Sequence, residues 1–217
     1  MFSDGVVTLA PLERDDLPRV RTWVNDAELC RAVDRVLPVT QFEHERWYEA
    51  LILRKDAVTF AIRRQGTPKG ALRTPIPPRG RAQRGSGARA IDPPPAPSLG
   101  GRGVMLDALV GVCGLKDMHS RNRHAELWIY LGDGQQRGRG LGRRALQLLT
   151  RYGFDQLNLH RIYLHVPAYN AAAQRAYQAC GFREEGRDRE HLYIDGAYHD
   201  AVRMGLLRTE LEPPPDA

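Results

Sequence analysis

Gln135-Gln136-Arg137-Gly138-Arg139-Gly140-Leu141-Gly142 is the stretch on which the reading of this 217-residue chain turns. Ala125 to Leu131, just before it, reads as a strand. Just after it, Leu141, Ala145, Leu148, Leu149 and Tyr152 recur at the spacing of one helix face. A helix start leaves its first amides without internal partners, and the aligned peptide dipoles make that end partly positive. Glycines remove the Cβ atoms that would hold an anion away from the backbone. Arg137, Arg139 and Arg143 add positive charge. The stretch reads as a cradle for a pyrophosphate.

Several occupants compete for such a cradle. A nucleoside triphosphate site would place Lys and then Ser or Thr after the last glycine, where this chain has Leu141-Gly142-Arg143. Gly132, Gly134 and Gly138 fit a relaxed dinucleotide fingerprint. That motif needs an acid at the end of the next strand, and here the strand ends at His165-Val166. A glycine-bearing connection with no ligand is the plain structural alternative.

Outward from the cradle the pattern is mixed α/β. Val6 to Leu9 and Val58 to Ile62 are strand candidates, and the strand signal resumes from Ala108 through Leu115. Arg121-Asn122-Arg123 is a polar turn. Asp15 or Asp16 is placed to cap a helix with Leu17, Val20, Trp23 and Val24 on one face. Thr40 and Glu43 have capping-box spacing for a second helix presenting Trp47, Ala50 and Leu51. Arg161 to Val166 is a strand. Asn170 caps a helix whose buried stripe is Ala173, Ala176, Tyr177 and Cys180, with Gly181 ending it. Phe182 to Ile194 and Ala197 to Leu207 form a hairpin turning at Asp195-Gly196. No internal repeat is visible.

The net charge of +6 is local in origin. Residues 63 to 102 hold nine Lys and Arg against Asp92 alone, a charge of +8, so the rest of the chain sums to −2. The same residues carry eight prolines and no aromatic ring, a composition that cannot bury enough apolar surface to order itself. We therefore expect one domain spanning residues 1–217, with a disordered Pro/Arg/Gly-rich insert at about 65–103. That insert is either a solvated loop or a contact for an acidic partner such as RNA, without the interleaved aromatics of a single-strand binder. No run approaches the roughly 20 apolar residues of a membrane span, and Met1 to Val7 lacks the layout of a secretory signal. Cys30, Cys113 and Cys180 are odd in number and far apart, as expected of free thiols in a cytoplasmic protein. The histidines show no metal-ligand spacing, so no metal is expected.

Gln135-x-x-Gly138-x-Gly140 resembles the Gln/Arg-x-x-Gly-x-Gly/Ala signature of the GNAT acetyltransferase superfamily. Ala125 to Asp133 is similar to the strand preceding that signature, and Asn170 to Phe182 to the following Asn…Tyr…Gly-Phe helix. Asp195 to Asp200, Leu9 to Leu12 and Trp23 to Asp26 resemble the branch that acetylates ribosomal-protein N-termini, polyamines and related amines. The likeness covers nearly the whole chain outside the insert. It departs from the family at that insert, where the family has a short turn, and at Trp128, where many relatives carry a small residue. A ring at 128 either narrows the acceptor site or packs in the core.

The resemblance implies a mixed, mostly antiparallel sheet flanked by helices and splayed between its two central strands, with acetyl-CoA as co-substrate. It implies that Ile129, Tyr130 and Leu131 pair with the pantetheine arm. Gln135, Gln136, Arg137, Gly138, Arg139, Gly140, Leu141, Gly142 and Arg143 would hold the diphosphate. Asn170 would contact the arm or simply cap its helix. Tyr177 would give a proton to the departing thiolate, and it also fits a buried core tyrosine. Glu126 is either the base or a salt-bridged structural residue. His165 is a proton shuttle or an ordinary histidine, and Cys180 is core or, less simply, an acyl carrier. The expected reaction is direct attack by a primary amine in a ternary complex, with a peptide or protein N-terminus as leading acceptor. Polyamines and aminoglycoside-like amines come second. The alternative class is a non-catalytic acyl-CoA-binding regulator that contacts nucleic acid through its insert. Glu28, Asp34 and Glu45 are acidic candidates for the acceptor pocket. Nothing in the sequence separates monomer from homodimer.

Overall fold

The computed structural model describes residues 1–33, 38–66 and 108–211, so the insert beyond residue 66, and Asp34, lie outside the described residues. Eight strands form one open sheet: β1 (Phe2–Ser3), β2 (Val7–Pro11), β3 (Val58–Arg64), β4 (Ala108–His119), β5 (His124–Leu131), β6 (Arg161–Pro167), β7 (Arg183–Ile194) and β8 (Ala197–Leu207). Their order is β1-β2-β3-β4-β5-β6-β8-β7. Every pair is antiparallel except β5 with β6. That one parallel pair is held only at His124–Arg161, Ala125–Ile162 and Glu126–Tyr163. Beyond Glu126 the two strands part, which is the expected splay.

Alternation along β5 divides the core. Ala125, Leu127, Ile129 and Leu131 pack toward α4 (Leu141–Asp155) and α5 (Ala171–Gln178), in a cluster with Leu146, Leu149 and Phe154. Trp128 and Tyr130 join the opposite cluster, with Leu17, Val20, Trp23 and Val24 of α1 (Leu17–Val24). Burying large apolar side chains on both faces supplies the main drive to fold, roughly 1.5–3 kcal/mol for each fully buried one.

Two short helices complete that second face: α2 (Ala27–Val33) and α3 (Gln41–Leu53). Thr40 caps α3 as expected, its hydroxyl accepting from the Glu43 amide while the Glu43 carboxylate accepts from the Thr40 amide at 2.8 Å. The face that α3 buries is rotated from the expected one. Ala50 is exposed, and His44 is buried instead, its ring stacked on Trp47 at 5.1 Å. Asp16 stands at the N-cap of α1 but does not cap it. Its carboxylate is taken up by the Glu13 amide at 3.0 Å and by Arg63 at 2.7 Å. The β7–β8 turn falls at Asp195 (φ 51°) and Gly196 (φ 83°), the paired left-handed conformation that favours this dipeptide.

Candidate functional site

Where β5 and β6 part, a cleft of about 790 Å³ opens between the sheet, α2 and α5. Along residues 127–131 alternate backbone groups of β5 face away from β4, and β6 no longer pairs with them. Ile129, Tyr130 and Leu131 line this gap, as do Glu126, Arg137, Asn170 and Tyr177. The structure thus brings seven of the expected site residues to one cleft.

The cradle lies where β5 hands over to α4. Asp133 caps a short 3-10 turn, Gly134–Gln136, by accepting from the Gln135 amide at 3.0 Å. Gly138 and Gly140 follow at φ +74° and +76°, and a Cβ built on either meets no atom within 4 Å. The backbone there is open on its outer side, where an anion would rest. The bond from the Arg144 amide to the Gly140 carbonyl, 3.1 Å, closes the first turn. The amides of Leu141, Gly142 and Arg143 precede it and so have no carbonyl one turn back. Arg139 and Arg143 are exposed beside them. Leu141 itself is core, 3% exposed, so only its amide serves the turn. The Gln136 side chain accepts from Arg64 at 3.0 Å, and Arg137 pairs with Glu28 of α2 at 2.9 Å. The open backbone, its free amides and the nearby guanidinium groups fit the diphosphate of coenzyme A.

Gly132 has a different reason to be glycine. A Cβ there would fall 1.8 Å from the Trp23 ring, so the residue is set by packing and not by phosphate. This removes one glycine from the dinucleotide fingerprint. Trp128 both packs and faces the cleft. It stacks with Tyr130 at 6.1 Å, lies against Gly114, and lines both the main cleft and a side pocket of about 290 Å³ next to it.

Asn170 has two contacts. Its Oδ1 accepts from the Ala173 amide at 3.1 Å, capping α5, and its Nδ2 donates to the Ala32 carbonyl at 3.3 Å. The second bond ties the end of α2 across the cleft, as does Tyr169 donating to the Arg31 carbonyl at 2.6 Å. Tyr177 lines the cleft from α5 while 9% exposed, and its phenol is pushed up to about 12, first by burial and then by Cys180. Burial likewise pushes the Cys180 thiol up to about 11, against a smaller opposing effect of Arg143. A thiol so rarely ionised is a poor nucleophile, which disfavours an acyl-cysteine.

Glu126 sits at the branch point of β5 and β6. Its carboxylate pairs with Lys116 at 3.2 Å and faces His165 Nδ1 at 3.5 Å. His165 Nε2 in turn faces Asp188 at 3.5 Å, with His191 stacked on the ring. Lys116, Asp188 and His191 carry no signal in the sequence. A register shift in β7 follows Asp188 and contains His191, which hides their facing from any alternation pattern. Among the described residues, no helix is long and apolar enough to cross a membrane.

A mixed sheet that splays beside a glycine cradle is the arrangement that the likeness to the acetyltransferase family implied. The model of the acetyltransferase (GNAT) domain matches residues 7–183, and the chain belongs to that family. Spermidine N(1)-acetyltransferase of Vibrio cholerae serotype O1 is 38% identical over 112 residues, 50% of this chain and 64% of that protein. Putative ribosomal N-acetyltransferase YdaF of Bacillus subtilis is 32% identical over 111 residues, 51% of this chain and 60% of that protein. The chain thus spans less than two-thirds of either relative's length. Among solved structures, spermidine N-acetyltransferase from Vibrio cholerae in complex with CoA and spermine aligns at a TM-score of 0.73 and 26% identity. That alignment covers 95% of this chain and 98% of the other.

Proposed function

We propose that this protein transfers an acetyl group from acetyl-CoA to a primary amine of a small polyamine-like acceptor. The observation that carries the proposal is the parting of β5 from β6 beside an open anion cradle. Acetyl-CoA supplies the acetyl group as an activated thioester. The cradle residues Gln135 to Arg143 would hold its diphosphate, chiefly through the amides of Gly138 to Arg143 and the neighbouring arginines. The unpaired edge at Ile129, Tyr130 and Leu131 would receive the amide-bearing arm as an added strand. Asn170 would hold the far wall by keeping α2 tied to α5.

The acceptor nitrogen needs its lone pair, yet a lysine-like primary amine titrates at about 10.4. Glu126, half-buried at the mouth of the gap, is positioned to take that proton. Tyr177, which keeps its proton at any physiological pH, is suited to protonate the departing thiolate, and the second N–H proton, shed as the tetrahedral adduct collapses, would restore the phenol. Neither step requires an acyl-enzyme.

The acceptor put first by the sequence was a peptide N-terminus. Two findings now favour a polyamine: spermidine enzymes stand among the relatives, and carboxylates of Glu28 and Glu126 line the cleft. The peptide reading is kept as second because of the ribosomal relative. A panel of spermidine, spermine, shorter diamines and short peptides, assayed for thiol release from acetyl-CoA, distinguishes them. We expect saturable release with a polyamine; release with peptides alone would reverse the order.

A further inference from the structure

Glu126 is the last residue of β5 to pair with β6, and it begins a line of ionisable groups running outward. Lys116 Nζ lies 3.2 Å from one of its carboxylate oxygens and His165 Nδ1 lies 3.5 Å from the other. The second imidazole nitrogen, Nε2, is 3.5 Å from Asp188 on the outer strand β7. Side-chain exposure rises along the line, from 20% at Glu126 to 30% at His165 and 33% at Asp188. His191 stacks on the His165 ring at 5.8 Å, and Tyr163 meets it edge-on at 6.0 Å. Arg203 is its cross-strand neighbour on β8, and Glu28 of α2 is engaged with Arg137.

Three features separate this arrangement from a packed structural histidine. The ring lines the cleft with Glu126 and His191. Both of its nitrogens face carboxylates, one in the cleft and one toward solvent. Both separations, 3.5 Å, exceed the 2.7–2.9 Å typical of a tight charged hydrogen bond, so neither contact locks the ring. Each hand-over of a proton needs the ring to swing closer or one water to bridge. An imidazole can accept a proton on one nitrogen while releasing one from the other.

We propose that Glu126, His165 and Asp188 form a relay that carries the acceptor's ammonium proton from the cleft to solvent, an inference that rests on the amine-acceptor reading above. The proton leaves the acceptor nitrogen for the Glu126 carboxylate, and the N–H bonding pair stays on nitrogen as the attacking lone pair. Protonated Glu126 passes the proton to His165 Nδ1. His165 releases its Nε2 proton to Asp188, which gives it to water. Glu126 and Asp188 end as carboxylates, and the imidazole ends in its other tautomer and resets by exchange with solvent. Lys116 holds the second oxygen of Glu126 in place. His165 acts through Glu126 and is a positioning and relay group.

The test compares two acceptors of one skeleton: an ordinary diamine, and a diamine fluorinated on the carbon β to the reacting nitrogen so that this nitrogen is largely uncharged at neutral pH. For His165→Gln we expect kcat/KM with the ordinary diamine to fall about 100-fold at neutral pH. Turnover of the fluorinated diamine, which brings no ammonium proton to remove before attack, should stay near wild type. The loss should shrink as the pH rises and the ordinary amine deprotonates by itself. Asp188→Asn, on the outermost strand, should show the same dependence on acceptor with a smaller loss. Equal losses for both acceptors, or no loss for either, overturn the relay while leaving the acetyltransferase reading intact. Wild-type protein that binds acetyl-CoA but acetylates no amine at any pH overturns the proposed function, and the relay with it.

Discussion

Tyr177 sits on the buried stripe of α5, and the same burial that makes it a core residue keeps its phenol protonated. Removing the ring from water disfavours the phenolate, and the nearby Cys180 adds to this, taking the group up to about 12. The core reading and the proton-donor reading therefore describe one physical situation. Tyr177→Phe keeps the packing against Phe182, which meets the ring edge-on at 6.0 Å, and removes only the hydroxyl. We expect turnover to fall about 100-fold with acetyl-CoA affinity nearly unchanged, as steady-state rates and calorimetric titration would show. The same substitution has a signature in stability. An unfolded chain would release this proton near 10 and the folded one near 12, so the unfolded state binds fewer protons in that window. Stability contributed by Tyr177 is thus fully present below about 10 and is lost as the pH rises toward about 12. Denaturation midpoints of wild type should fall across that range more steeply than those of Tyr177→Phe; parallel curves would mean the phenol is not held up by the fold.

At the scale of elements, the cradle is where sequence and geometry agree most closely. Gly138 and Gly140 need left-handed backbone and face open space, whereas Gly134 faces open space without a positive φ. Gly140→Val should therefore both strain the turn and place methyl groups where the diphosphate rests. We expect acetyl-CoA affinity to drop at least about 10-fold in Gly140→Val, while Gly134→Ala stays close to wild type. Calorimetry on the two variants checks this, and equal effects would relocate the diphosphate. The legible elements share one property: local chemistry determines them. The capping box at Thr40 and Glu43, the cap at Asn170 and the Asp195-Gly196 turn each depend on residues within four positions. What escaped depends on distant residues. α2 has seven residues and two buried side chains, Leu29 and Cys30, too few to show a period. Its one local signal was Asp26, whose carboxylate accepts from the Leu29 amide at 2.8 Å. Asp15 or Asp16 reads as a cap of α1 because the sequence does not show the Glu13 amide and Arg63, 47 positions away, engaging the Asp16 carboxylate. The same holds for Lys116 at Glu126. β1, only two residues long, had no pattern to read.

For the whole molecule, one mixed sheet brings together groups that lie far apart in the chain. Tyr177 reaches the gap from the α4 and α5 face, while Glu126 and Trp128 alternate onto the other, so the proposed proton donor and the proposed base would approach from opposite sides. The splay was implied by the family likeness, and the register confirms it at Glu126 and Tyr163. The insert enters this picture only at its ends. Arg64 and Ala108 are register partners on β3 and β4, so the two flanks of the insert meet as neighbours across a strand pair. A short turn in place of residues 67 to 102 should join them without disturbing the sheet. We expect that deletion to retain acetyl-CoA binding and turnover. If turnover survives and salt-sensitive RNA binding disappears, the insert is an accessory arm. If turnover was never present and RNA binding is the sole activity lost, the regulator reading prevails. Thiol release from acetyl-CoA with spermidine as acceptor, followed for wild type and Gly140→Val side by side, probes acetyl transfer and the cradle together. We expect saturable release and N-acetylated spermidine by mass spectrometry for wild type, with a raised KM for acetyl-CoA in the variant. Wild-type protein that neither binds acetyl-CoA nor releases thiol would contradict the proposed transfer.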